Sequence, residues 1–244
     1  MWIVRHGESA GNVAWQQALA AGHEVIDVAV RDIDVPLSPR GEHQARALGR
    51  WFADLAPEER PTVLLTSPYL RARRTAELLQ QEGALAPGET RCVDERLREK
   101  EFGVLDRLTG RGIRARHPEQ AALRRRLGKF YFRPPGGESW ADVILRLRSV
   151  LDTIGLHHCQ ERVLIVAHQV VVLCLRYLLE NLGEEQILTI DREGDVANCS
   201  VTEYRFDPHA GRHGGMTLRR YNFVVPLEEK GAPVTAEPAR TKTG

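Results

Sequence analysis

The chain has 244 residues, of which 42% are hydrophobic and 27% are charged, as in a globular protein with a substantial core. Its net charge of +1 argues against a general affinity for nucleic acid, and it has neither a membrane-spanning apolar run nor the apolar core of a signal peptide. Four widely spaced cysteines without a CxxC pair favour reduced thiols. We therefore expect a cytoplasmic protein without nucleic-acid or membrane partners.

The N-terminal stretch combines a short apolar strand with residues suited to phosphate chemistry. Residues 1–5 predict a buried strand, Gly7 allows a tight turn, and residues 13–21 are helical. The start of a helix after such a turn favours anions, because its first N–H groups lack partners. Arg5 adds a planar fork of donors, and His6 adds a nitrogen that can attack phosphorus. Alone, these few residues would fit an ordinary surface turn.

The following elements alternate between apolar strands and amphipathic helices. Strands are predicted at residues 62–66, 91–94, 162–167, 200–206 and 216–223, the last two as a hairpin. Helices are predicted at residues 39–55, 68–82, 138–155 and 169–182. This order predicts an α/β fold, a three-layer α/β/α sandwich with a mostly parallel central sheet.

The expected domain organisation is one domain with a helical insertion and a tail. The domain covers residues 1–227, and residues 96–137 form a helical excursion over the active site with a break at 117–118. Residues 25–30 fit a loop or a short strand. Residues 228–244 are rich in charge, proline and threonine, which predicts a disordered tail.

Polar residues follow the predicted parallel strands, where ligands of such sheets bind. His6 follows the first strand, Arg71 the second, Glu99 the third and His168 the fourth. We therefore expect these side chains to meet at one rim of the sheet. Taken singly, His168 would fit a satisfied core histidine and Arg71 a helix-surface residue.

Six sequence motifs then occur in the order found in one family. They are Arg5-His6-Gly7-Glu8-Ser9 with Asn12, Asp34-x-Pro36-Leu37-Ser38, Ser67-Pro68-x-x-Arg71, Leu97-x-Glu99, Gly136-Gly137-Glu138-Ser139 and Val166-x-His168. With them, residues 1 to about 206 resemble the histidine phosphatase superfamily, also called phosphoglycerate mutase-like. The similarity is greatest to its fructose-2,6-bisphosphatase branch. Residues 13–33 do not match closely.

The resemblance implies a metal-independent phosphomonoesterase of the histidine acid type without a cofactor. His6 would attack phosphorus and form a phosphohistidine. Glu99 would protonate the leaving oxygen and then activate water. The phosphoryl group would be surrounded by Arg5, Arg71, His168 and Asn12, with Ser9 and Gln169 as further substrate-binding residues.

Two alternatives concern the acid and a metal. Glu95 and Glu101 differ from Glu99 only in register, and the motif favours Glu99. The histidine pairs at 157–158 and at 209 and 213 could suggest a metal. They have no cysteine or carboxylate at ligand spacing, so no metal site is predicted.

The charge of residues 107–133 suggests the kind of substrate. This segment contains nine Lys or Arg but only one acidic residue, Glu119. A solvated surface would explain this, but a segment folded over the rim would favour a substrate with several anionic groups. The fructose-2,6-bisphosphatase branch has basic residues near the sugar phosphates at positions matching Arg124, Lys129 and Arg133. We expect a small phosphorylated metabolite, such as a sugar bisphosphate, as the partner.

The remaining alternatives concern activity and assembly. A phosphoglycerate mutase shares the core chemistry, although His168-Gln169 stands where mutases usually have His-Gly. A phospho-ligand-binding protein without catalysis would not need both a nucleophile and an acid. The oligomeric state does not follow from the sequence, and a homodimer stays open.

Overall fold

The computed structural model describes residues 1–236, and residues 237–244 of the predicted tail lie outside the described residues. The strands are β1 (Trp2–Arg5), β2 (Val63–Thr66), β3 (Thr90–Val93), β4 (Val163–Ala167), β5 (Val201–Asp207) and β6 (Gly215–Phe223). The helices are α1 (Ala10–Ala20), α2 (Pro39–Ala53), α3 (Leu70–Gln81), α4 (Gly110–Arg116), α5 (Pro118–Tyr131), α6 (Trp140–His157), α7 (Gln169–Leu179), α8 (Glu184–Glu193) and α9 (Val225–Glu229). None of these helices is both long and apolar enough to cross a membrane.

The six strands form one mixed sheet in the order β3-β2-β4-β1-β5-β6. The first four strands are parallel, and β5 and β6 are antiparallel neighbours at one side. In the centre, Arg5 pairs with Ala167 and Thr66 pairs with Val166. The carboxyl ends of β1, β2 and β4 therefore meet at one rim, and the predicted mostly parallel sheet is confirmed.

Helices cover both faces of the sheet. Ile3 and Ile165 face a core formed with α6 and α7, while Val4 and Val166 face a core formed with α2 and α3. Successive strand residues alternate between these cores, and this explains why β4 and residues 2–4 of β1 are apolar. The three-layer α/β/α arrangement is confirmed.

Two glycines allow the turn after β1 to touch the start of α2. A Cβ on Gly7 would lie 2.5 Å from the carbonyl oxygen of Gly41, and a Cβ on Gly41 would lie 2.0 Å from that of Glu8. Ser38 caps α2 by accepting from the Gly41 N–H, and its hydroxyl donates to the Glu8 carboxylate. This contact fixes the turn that carries His6.

Three regions can be compared with the sequence-based expectation. The segment at residues 25–30 is a loop that meets residue 108 through one isolated bridge at Val25. Helix α8 was not predicted, because its largely polar sequence buries only Ile187. The predicted break at residues 117–118 separates α4 from α5.

The predicted disorder from residue 228 does not hold for residues 228–236. Leu227 and Ala232 are buried against the core that contains α2 and α3. The Thr235 hydroxyl accepts from Gln44 and donates to Asn198. A few buried apolar groups and satisfied hydrogen bonds anchor a segment whose composition is otherwise that of a disordered chain.

Candidate active site

Four of the expected site residues lie together at the rim of the sheet. Arg5 ends β1 and His6 follows it, His168 follows β4, and Arg71 lies in the first turn of α3 beyond β2. The backbone N–H of His6 donates to the Ala167 carbonyl over 3.0 Å, and this hydrogen bond connects the ends of β1 and β4. The ring centroids of His6 and His168 are 5.1 Å apart. All four side chains are buried.

The hydrogen bonds of His6 define its tautomer. Its Nδ1 lies 2.7 Å from the Gly7 carbonyl oxygen, which can only accept, so Nδ1 carries the proton. Its Nε2 accepts from the Nε of Arg71 over 3.2 Å. Burial and the nearby charges of Arg71 and Arg5 lower the pKa of His6 well below its usual range. The imidazole is therefore neutral at physiological pH, with the lone pair on Nε2.

Arg71 joins His6 to an acidic side chain from the poorly matched segment. One terminal nitrogen donates to the Asp32 carboxylate over 3.0 Å and to its backbone carbonyl over 2.6 Å. The other donates to the second carboxylate oxygen over 3.2 Å. A carboxylate held by a guanidinium in this two-pronged way resembles a bound phosphate. No motif pointed to Asp32, so sequence reasoning missed it.

Arg5, Asn12 and Ser9 are held by the surrounding backbone. The Arg5 guanidinium donates to the Val196 carbonyl. Ser9 and Asn12 form a capping box at the start of α1, in which Asn12 Oδ1 accepts from the Ser9 N–H over 3.0 Å. Ser9 and Asn12 thus fix the first turn of α1 next to His6.

His168 keeps one ring nitrogen for a ligand. Its Nε2 lies 2.7 Å from the hydroxyl of Ser67, and its Nδ1 has no hydrogen-bond partner within residues 1–236. The Tyr69 ring packs 5.0 Å from it, centroid to centroid. Burial, together with Arg71 and His6, lowers the pKa of His168 well below its usual range. A phosphoryl oxygen at Nδ1 would satisfy this buried atom.

Glu99 is partly buried in the loop after β3 and carries a perturbed pKa. Burial raises the pKa of Glu99. Two groups partly offset this rise, namely the backbone N–H of Lys100, which donates to Glu99 Oε1 over 2.8 Å, and the charge of Arg71. The rival Glu101 is exposed and accepts from the Tyr69 hydroxyl over 2.9 Å. Glu95 is also exposed. Of the three carboxyls, Glu99 has the environment that favours a proton donor.

The residues expected to bind the rest of the substrate fall into two groups. Gln169 begins α7 directly beside His168, and its amide nitrogen donates to Asp195 over 2.6 Å. Arg124 lies near Lys100, where burial and nearby charges lower the lysine pKa to about 8. Gln169 therefore borders the rim, and Arg124 lies near the loop that carries Glu99.

Lys129 and Arg133 are each paired with an acidic side chain. The Lys129 ammonium pairs with Asp191 and lies over the ring of Trp140. Arg133 is exposed and pairs with Asp142 in the first turn of α6. The structure therefore does not bring Arg133 to His6 and Arg71, because Asp142 offers a carboxylate close to it in the chain.

Two further residues hold the backbone around His6. The Thr75 hydroxyl accepts from the Gly7 N–H over 3.1 Å and donates to the Arg71 carbonyl. Asn198 donates to the carbonyl oxygen of His6 over 3.0 Å. Asn198 belongs to none of the motifs used above. In residues 1–236 no three His, Cys, Asp or Glu side chains are grouped as metal ligands would be.

Comparisons with known proteins bear on this arrangement. The model of the histidine phosphatase superfamily (branch 1) matches residues 1–219. The Homo sapiens protein named 6-phosphofructo-2-kinase/fructose-2,6-bisphosphatase 3 is 32% identical over 93% of this chain. The chain spans only 42% of that relative's length. A Photorhabdus laumondii protein named probable phosphoglycerate mutase GpmB is 31% identical over 85% of this chain and 86% of its own.

Solved structures show the same fold. A mycobacterial glucosyl-3-phosphoglycerate phosphatase in complex with VO3 has a TM-score of 0.70 and 25% identity, over 91% of this chain and 98% of its own. The matched model is that of branch 1, and it does not show the finer expectation of a histidine acid type. The resemblance inferred from the motifs is confirmed, and the chain belongs to branch 1 of the histidine phosphatase superfamily.

Proposed function

We propose that this chain is a phosphatase that hydrolyses a small phosphorylated metabolite, a sugar phosphate, through a phosphohistidine on His6. The observation that carries the proposal is the neutral His6, whose Nε2 lies 3.2 Å from Arg71 Nε beside the buried Arg5 and His168. A nucleophilic lone pair among cationic and hydrogen-bonding groups is what attack on a phosphoryl group requires. Relatives named as fructose-2,6-bisphosphatase and glucosyl-3-phosphoglycerate phosphatase support a sugar phosphate.

The first step transfers the phosphoryl group to His6. Its Nε2 forms a bond to phosphorus while the bond from phosphorus to the ester oxygen breaks. Glu99, whose raised pKa favours the protonated form, gives its proton to the leaving oxygen. Arg5 and Arg71 stabilise the charge on the phosphoryl oxygens.

The second step returns the enzyme to its starting state. A water molecule attacks the phosphohistidine, and the ionised Glu99 takes a proton from it. The bond from phosphorus to Nε2 breaks, phosphate leaves, and the neutral imidazole is restored. No step calls for a metal, because the charge of Arg5 and Arg71 and the donors of the site can stabilise the phosphoryl group.

A phosphoglycerate mutase is the second candidate, because one relative that matches along most of both chains carries that name. A mutase must hold a bisphosphate and return the phosphoryl group to the substrate, whereas a phosphatase passes it to water. Gln169, an amide beside His168 where mutases usually have glycine, favours the phosphatase.

A screen of phosphorylated metabolites tests the proposal. Phosphate release is measured for sugar monophosphates and bisphosphates, and isomerisation of 3-phosphoglycerate is followed in parallel. We expect phosphate release from a sugar phosphate without isomerisation. Isomerisation without net phosphate release would assign the chain to the mutases, and binding without turnover would favour a phospho-ligand-binding protein.

A further inference from the structure

Gln169 and Asp195 form a polar pair next to the phosphate-binding side chains. Gln169 directly follows His168, and Asp195 directly precedes Val196, whose carbonyl accepts from the Arg5 guanidinium. The amide nitrogen of Gln169 donates to Asp195 Oδ1 over 2.6 Å. The pair therefore joins the start of α7 to the loop before β5, close to both Arg5 and His168.

The carboxylate of Asp195 fixes which way the amide faces. In the reversed orientation the amide oxygen would meet a carboxylate oxygen, and two acceptors repel each other. Asp195 is held in turn by Asn222, which donates to its backbone carbonyl over 3.1 Å and accepts from the Ala197 N–H over 2.8 Å. The nitrogen of the Gln169 amide is thus turned toward Asp195, and the oxygen is turned away from it.

This orientation leaves an acceptor without a donor. Gln169 is 7% exposed, and its Oε1 has no hydrogen-bond partner within residues 1–236. A buried amide oxygen in this state is unfavourable unless a ligand or water donates to it. An ionised phosphoryl oxygen only accepts and cannot fill this role. A hydroxyl group of the substrate can.

We propose that Asp195 is a positioning residue, which holds the Gln169 amide so that its oxygen accepts a hydrogen bond from a hydroxyl of the substrate. The inference rests on the proposed function and extends it to the part of the substrate that is not transferred. It selects polyhydroxylated phosphate esters over esters without hydroxyls. Asp195 acts only through Gln169 and does not touch the reacting atoms.

The test compares substrates with and without hydroxyls. Fructose 2,6-bisphosphate, glucosyl-3-phosphoglycerate and glucose 6-phosphate carry hydroxyls, and p-nitrophenyl phosphate does not. The measured quantity is kcat/KM for the best of the first three divided by kcat/KM for p-nitrophenyl phosphate. Gln169→Met, which keeps the side-chain length but removes the acceptor, should lower this ratio about tenfold, as expected for one lost hydrogen bond to a buried group.

Variants of Asp195 separate positioning from a general effect. Asp195→Ala should lower the ratio severalfold, mainly through KM for the sugar phosphate. Asp195→Asn keeps one acceptor and should fall between wild type and Asp195→Ala. In the Gln169→Met background, Asp195→Ala should cause no further fall, because the amide that it orients is already absent. Thermal unfolding of each variant checks that the fold is kept.

Three results would overturn the inference. The first is an equal loss on both kinds of substrate in Asp195→Asn and Asp195→Ala. The second is an additional fall of the ratio in the double variant. The third is turnover of p-nitrophenyl phosphate without turnover of any hydroxylated ester. A wild-type protein that hydrolyses no phosphate ester at all would contradict the proposed phosphatase function itself.

Discussion

The guanidinium of Arg71 is shared between His6 and Asp32. Its Nε lies 3.2 Å from His6 Nε2, and its two terminal nitrogens lie 3.0 and 3.2 Å from the two carboxylate oxygens of Asp32. Because a phosphate would use the same terminal nitrogens, Asp32 and the substrate compete for one cation. Asp32 also raises the pKa of Glu99, so one acidic side chain acts on both Arg71 and the proposed proton donor.

Asp32→Asn should therefore tighten the binding of phosphate. The Asp32 side chain is 43% exposed, so its competition is screened, and we expect the inhibition constant of inorganic phosphate to fall about two- to fivefold. Competitive inhibition of p-nitrophenyl phosphate hydrolysis measures this. Asp34→Asn, which breaks only an exposed pair with Arg31, is the control and should change little. A weaker inhibition by phosphate in Asp32→Asn would show that Asp32 helps Arg71 to bind.

The loss of activity in Glu99→Gln should be larger for substrates whose leaving group is more basic. A sugar alkoxide needs a proton and p-nitrophenolate does not, and a general acid contributes about 10²- to 10⁴-fold. We expect a steep loss of phosphoryl transfer from an alkyl phosphate and a much smaller loss in the burst with p-nitrophenyl phosphate. The steady state after that burst should be slow in Glu99→Gln, because the water that attacks the phosphohistidine then lacks a base.

Glu101→Gln is the matched control for this acid. Glu101 accepts from Tyr69 and is exposed, so its loss should be mild for both substrates. A dependence on the leaving group in Glu101→Gln, together with its absence in Glu99→Gln, would move the acid to position 101.

The pH dependence should show two perturbed groups. The pKa of His6 is lowered, so the nucleophile stays unprotonated at pH values below the usual range of a histidine. The pKa of Glu99 is raised, so the proton donor stays protonated at pH values above the usual range of a carboxyl. The kcat/KM profile for an alkyl phosphate should thus fall at low pH as His6 gains a proton and at higher pH as Glu99 loses one. The apparent values belong to the coupled site.

A shift of the profile in Asp32→Asn is the check on that assignment. Removing a negative charge near Glu99 should move the upper limb to lower pH, because Asp32 contributes to the raised pKa. An upper limb that stays in place in both Asp32→Asn and Glu99→Gln would mean that another group protonates the leaving oxygen.

The positions at strand ends could be predicted from the sequence because they depend on periodicity and element order. His6 and His168 follow short apolar runs, and parallel strands bring such residues to one rim whatever the loops do. Arg71 follows the same logic one turn into a helix.

The contact between Asp32 and Arg71 depends on a loop path that no periodicity specifies. Arg107 holds this loop by donating to the carbonyls of Val28 and Val30. Asp195 and Asn198 likewise depend on the register of a loop between α8 and β5. For Arg133, the sequence indicated its charge but not that Asp142 would pair with it. Each of these contacts depends on which of several polar groups the tertiary fold brings together.

Gly41→Ala should destabilise the protein and disturb the site together. The new Cβ would meet the Glu8 carbonyl oxygen at 2.0 Å, so backbone must move, and overpacking of this kind costs about 1–3 kcal/mol. The displaced turn carries His6, so activity should also fall. Urea unfolding and kcat measure the two effects.

Gly155→Ala is the opposite case and the control for that variant. Gly155 lies inside α6, and apart from its chain neighbours and the backbone of its own helix no heavy atom of residues 1–236 lies within 4 Å of the new Cβ. Alanine should stabilise the helix by about 0.5–1 kcal/mol without a change in activity. A neutral effect of Gly41→Ala on stability would show that the turn and α2 can separate without cost.

The central claim is that His6 carries the phosphoryl group during turnover. A labelled phosphate ester mixed rapidly with the protein and quenched without acid, under which phosphohistidine survives, tests it by peptide mapping. The account predicts label on His6 in wild type, none in His6→Ala, and loss of nearly all activity in that variant, because alanine removes the ring nitrogen that lies 3.2 Å from Arg71 Nε. Substantial turnover by His6→Ala, or label on another residue in wild type, would contradict it.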